Sequence, residues 1–201
     1  MKMSSLDRLL VLFTGLLAAY QIVVGIDKMD SVPIIAYTIA FGVLLVAGLL
    51  LIILGFDALD APVVVIISTI IPLALATGLV YQHLASFRIP YLLFAIIGFS
   101  AVAFTRSDQV QSRLPVVTIA LVHGIAGLTI FLLPLLTSLQ GQTHPLFALV
   151  GVGGALIGVG GLALSFLKAG KPILSKELIL KILPAILFLM TLCFVIGFKY
   201  G

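Results

Sequence analysis

The chain has 201 residues, 62% of them hydrophobic and 9% charged, with a formal charge of +4 and a mean hydropathy of +1.36. A soluble domain carries about 25% charged residues, and none of this length could hide so much apolar surface from water, so the composition excludes a soluble globular fold and points to lipid as the solvent. The eleven basic residues are scattered between apolar runs rather than clustered, which argues against a nucleic-acid partner and matches the loops of a multi-pass membrane protein.

Seven apolar stretches are punctuated by charges and turn residues, at 8–27, 32–55, 61–83, 89–105, 114–138, 145–167 and 178–198. The first has Lys2 and Arg8 before it, like a signal peptide, but runs on through Gln21 and Ile22 to Ile26, longer than an h-region, and is expected to be a span. The third contains Pro72, which has no N–H for the Ser68 carbonyl. A kink is expected there, softened by the Ser68 and Thr69 hydroxyls. The fourth, between Arg88 and Arg106, has only seventeen residues, the lower limit for crossing. If it re-enters instead, six spans remain. The sixth ends before Gly170 and Pro172, and Ser175 is placed to cap the seventh.

The expected fold is an all-α, polytopic transmembrane helix bundle of seven spans, a single domain over residues 1–201 with no soluble domain. A faint repeat pairs the stretch from Pro33 with that from Pro115, and the stretch from Pro62 with that from Pro145. The offsets are 82 and 83 residues, which suggests a 3+3+1 plan with parallel repeats.

Lysine and arginine counts set orientation. A cytoplasmic N-terminus puts Lys2, Arg8, Arg106, Arg113, Lys168, Lys171, Lys176 and Lys181 inside and only Lys28, Arg88 and Lys199 outside. The C-terminus then lies outside, and Tyr37, Tyr81, Tyr91 and Tyr200 are expected near the outer interface.

The middle of every span is free of Asp, Glu, Lys and Arg. That weighs against ion-coupled transport, which needs a buried carboxylate. The seventh span has no central lysine for a retinal Schiff base. No HExxH, GxSxG, Cys–His couple or facing carboxylate pair is present, so neither enzyme activity, catalytic residues nor a metal site is expected, and Cys193 is a lone thiol.

Two features remain. His123 lies ten residues beyond Arg113, about 15 Å of helical rise and near the midplane. Tyr20, Gln21, Ser68, Thr69 and Thr191 fall at comparable depth. They are expected either to hydrogen-bond His123 and fasten helices together or, with it, to line a path. No cofactor is predicted: His83 and His144 belong to the outer surface, which leaves no second ligand for a bis-histidine haem, and a haem or pigment on His123 alone is a remote option. In the sixth span Gly151, Gly154, Gly158 and Gly161 share a face and are expected to be helix-packing positions. The alternative is a smooth wall along a permeation path.

Two functions fit. The first is a non-catalytic accessory subunit of a membrane complex, with lipid and other membrane subunits or further copies of itself as partners. The second is a passive channel or facilitator for a small, weakly charged solute. A water-accessible cavity reaching His123 would favour the second, and a dry, close-packed bundle the first.

Overall fold

A computed structural model describes residues 3–25, 29–107, 114–168 and 174–201, with the side chains of 162 and 164–168 outside that description. The Gly170–Pro172 stop, Asp27 and the basic residues Lys2, Lys28, Arg113 and Lys171 lie outside the described residues, as does the side chain of Lys168. Among the described residues the structure is helical, without a strand. The helices are α1 (Ser5–Val24), α2 (Ser31–Leu54), α3 (Pro62–Ser68), α4 (Ile70–His83), α5 (Arg88–Ser107), α6 (Leu114–Leu139), α7 (Ala148–Lys168) and α8 (Lys176–Phe198). Because α3 and α4 are two halves of one stretch, they form seven rods.

Local chemistry explains the ends. Ser4 Oγ accepts from the Asp7 amide at 3.1 Å and Asp7 Oδ2 accepts from the Ser4 amide at 2.8 Å, a reciprocal cap that starts α1 ahead of its apolar run. Ser175 caps α8 as expected, accepting from the Leu178 amide at 3.2 Å. Gly55, at φ 69°, ends α2 in a conformation other residues rarely adopt. A 3-10 turn, Gly55–Asp60, then leads into α3.

Six rods are long and apolar enough to cross a bilayer, including the 22 residues from Ala85 to Arg106, so the segment with the shortest apolar run reaches spanning length once its ends are counted. For the glycine-rich rod the assessment covers only Pro145–Gly161, because most side chains beyond Gly161 lie outside the description. Around the bundle α1 packs on α2, α2 on α4, α4 on α6, α6 on α7 and α7 on α8, and α8 returns to α1. The rod of α3 and α4 is the most enclosed of the six, whereas α5 leans on the outside against α3, α4 and α6.

Ion pairs mark the two ends. Asp60 and Lys176 approach to 3.9 Å at the end that also carries Ser4, here called the N-terminal end; Asp30 and Arg88 approach to 4.0 Å at the opposite end. Both pairs are largely exposed and add little stability. Thr143 and His144, just beyond α6, bond Ser138 at the end where α2 begins, and Phe147, which leads into α7, lies against His83, the last residue of α4. Thus α2 and α6 run in opposite directions, as do α4 and α7. A repeat relating them must be inverted, not parallel, because three crossings separate its halves.

The opposite half of the bundle is filled with rings. Tyr37, Phe41, Phe147, Phe194 and Phe198 are all buried, with the Tyr37 and Phe198 centroids 4.5 Å apart and Phe41 edge-on to Phe194 at 6.5 Å. Tyr37 therefore belongs to the core rather than the lipid interface. Its hydroxyl donates to Gln82 Oε1, joining α2 to α4.

Candidate functional site

The other half of the bundle is not filled. Below the aromatic layer, toward the N-terminal end, lies a cavity of about 200 Å³. Every rod contributes to its wall: Thr14 of α1, Leu44 of α2, Ser68 and Pro72 of α3 and α4, Arg106 of α5, His123 of α6, Gly161 of α7 and Leu187 of α8. Most of the remaining wall is aliphatic.

Two local irregularities open this space. The third rod breaks at Thr69, between α3 and α4, three residues before Pro72. The Ser68 and Thr69 hydroxyls both donate to Val65 O, at 3.0 and 2.9 Å, rather than to the position that Pro72 deprives of a donor. On the far wall, the glycines of α7 change role along its length. A Cβ at Gly151 would sit 2.6 Å from Phe131 O, and one at Gly154 would sit 2.7 Å from Ile130 Cγ2 and 2.9 Å from its carbonyl carbon. At those two positions the backbones of α6 and α7 touch as expected. Gly158 does not follow: nothing lies within 4 Å of its added Cβ, and at Gly161 only His123 Cδ2 does, at 4.0 Å. At Gly158 and Gly161 no α6 backbone lies against the added Cβ, and Gly160 and Gly161 are cavity wall. Gly153, on another side, meets Phe194 and Met190 O of α8.

His123 faces this cavity, as a ring amid hydrocarbon must find a polar or wet surface. Its bond, however, is local: Nδ1 lies 3.2 Å from Ile119 O on its own helix. A nitrogen facing a carbonyl carries the proton, which leaves Nε2 as an acceptor. Among the described residues the expected tie to another span is not made. The reason is general to the bundle: Thr14, Thr77, Thr137 and Thr191 each donate to the carbonyl four residues back, at 2.7 to 3.0 Å, so their hydroxyls are spent on their own helices.

The residues grouped with His123 by depth are dispersed. Ser68 shares the cavity with it. Tyr20 is 54% exposed on the outside of α1. Gln21 is buried but donates to Gly25 O at 3.1 Å and borders a separate space of about 20 Å³ beside Tyr37 and Phe41. Thr69 and Thr191 are buried against their own backbones. Two residues that depth alone did not single out join instead, Thr14 and Arg106. Arg106 closes α5 at the N-terminal end and lines the same cavity as His123. Its Nε is buried and has no hydrogen-bond partner among the described residues. The available signal was antiparallel neighbours: the last turn of one span lies beside the first turns of the next.

His83 and His144 stay at the opposite end, against Phe147 and Tyr200 respectively. Among the described residues no three His, Cys, Asp or Glu side chains gather as metal ligands.

The chain matches no known protein family, no curated protein and no solved structure.

Proposed function

We propose that this chain is a non-enzymatic, seven-crossing membrane facilitator that takes a small, weakly charged solute into the His123 cavity from the cytoplasmic side. The observation that carries this reading is a cavity in one half of the bundle, walled by every rod and reaching His123. The aromatic layer supports a carrier rather than an open pore, since passage requires those rings to part. Seven crossings follow if α7 spans, and its 21 residues give about 31 Å of rise, enough for the hydrocarbon core. The basic-residue bias supports a cytoplasmic N-terminus, and the matching Pro-led stretches support an inverted 3+3 repeat followed by α8.

An accessory subunit is the second reading, and one observation favours it. Little of α5 is buried, and Ile89, Leu93, Ile96 and Ile97 are exposed, a face available to lipid or to another membrane chain.

Solute entry into proteoliposomes separates the two. Wild type should accelerate entry of at least one of a neutral amide, a small alcohol and a monocarboxylate, and Ala47→Phe, which places a ring in the cavity, should abolish the gain. If none of the three enters faster than into protein-free vesicles, the facilitator reading falls and the subunit reading stands.

A further inference from the structure

The cavity has a chemical polarity that narrows its occupant, and the identity of that occupant rests on the facilitator reading. Its length is aliphatic, with Leu44, Ile71, Ile157, Leu183 and Leu187 in the wall. The hydroxyls facing it, on Thr14 and Ser68, give their protons to Leu10 O and Val65 O. His123 gives its proton to Ile119 O in the tautomer that this bond selects. These three groups can therefore accept a hydrogen bond but have no proton left to donate. The donor is Arg106, whose Nε–H is buried and has no partner among the described residues. Among the described residues no carboxylate pairs with it, because the acids in ion pairs are Asp30 and Asp60. A guanidinium is always charged, and a buried N–H without an acceptor is costly to leave unmade.

We infer that the cavity binds one small carboxylic acid with an aliphatic tail, its carboxylate on Arg106 and its chain among the aliphatic side chains. A dry cavity of about 150 Å³ holds a benzene-sized molecule, so the space beside His123 holds a chain of a few carbons more. A neutral alcohol fits the same walls and can donate to His123 Nε2, yet it cannot answer the guanidinium's charge. The carboxylate can. The donors of Ser68, Thr14 and His123 are already engaged on their own helices, so a tail passing them meets no unpaired N–H or O–H.

The test uses the full chain in detergent and two probes, octanoate and 1-octanol, each measured by equilibrium binding. Wild type should bind octanoate saturably, one per chain, and at least tenfold tighter than octanol. Arg106→Gln should weaken octanoate by about tenfold or more, the effect of losing a hydrogen bond to a charged group, and leave octanol within about twofold. Arg106→Lys should recover part of the loss. Ala47→Phe should remove both. Octanol binding equal to or tighter than octanoate in wild type overturns the acid assignment while the cavity reading stands, and needs no variant to fold. Octanoate binding that Arg106→Gln leaves unchanged also overturns it. Failure of both probes, or equal binding to Ala47→Phe, overturns the cavity reading itself.

Discussion

Gly154 and Gly158 lie one turn apart on α7 and meet different surroundings, the first against the Ile130 backbone and the second in open space. Alanine at 154 must push two backbones apart, and overpacking of that kind costs about 1–3 kcal/mol. Alanine at 158 meets nothing, and in a helix interior it gains up to about 1 kcal/mol over glycine. Unfolding in detergent micelles should therefore show Gly154→Ala destabilised and Gly158→Ala unchanged or more stable. Equal losses would mean that α6 and α7 stay in contact past Gly154, and no room would be left beside His123. The glycine spacing made this face visible in the sequence. What the spacing could not show is where along the face the partner helix departs, since that depends on side chains of α6. For the same reason the polar residues at the depth of His123 were legible as a set but not as a site. Depth follows from residue count, whereas Tyr20 turned outward and Thr191 spent its hydroxyl at home.

At the scale of elements, the break between α3 and α4 shapes the cavity wall. Pro72→Ala returns an N–H to the position facing Ser68 O and should join α3 to α4 in one continuous helix. Two measurements then move together: amide exchange around Thr69 slows, and solute entry falls below the wild-type rate as Ser68 swings into line. Unchanged exchange would assign the break to the packing of α3 on the 3-10 turn Gly55–Asp60 instead of to proline. The interruption at Thr69 was foreseeable from Pro72, since the missing donor is a covalent fact. That both hydroxyls would turn to Val65 O was not, because either of two carbonyls lies within reach of such a side chain. The repeat expected from the Pro-led stretches is a different case: its parallel sense was already excluded by the sequence, since the paired stretches lie three crossings apart among the seven.

Across the whole molecule the two halves of the bundle are unlike. Rings of Tyr37, Phe41, Phe147, Phe194 and Phe198 fill one half; the other holds the cavity. Composition announced a membrane bundle because nothing but lipid tolerates so apolar a chain, and it announced nothing about this asymmetry, which arises from where aromatic side chains of α2 and α8 converge. The proposed facilitation rests on that asymmetry: in the proposed orientation the cavity would be reached from the cytoplasmic side, with the aromatic layer on the other. The most direct test places a cysteine at His123 in a Cys193→Ser background and exposes oriented vesicles to a small, charged, membrane-impermeant thiol reagent. Modification from the cytoplasmic face alone, with protection by excess solute, is the predicted result. Modification from the outer face alone, or none from either face in a protein that folds normally, would contradict it.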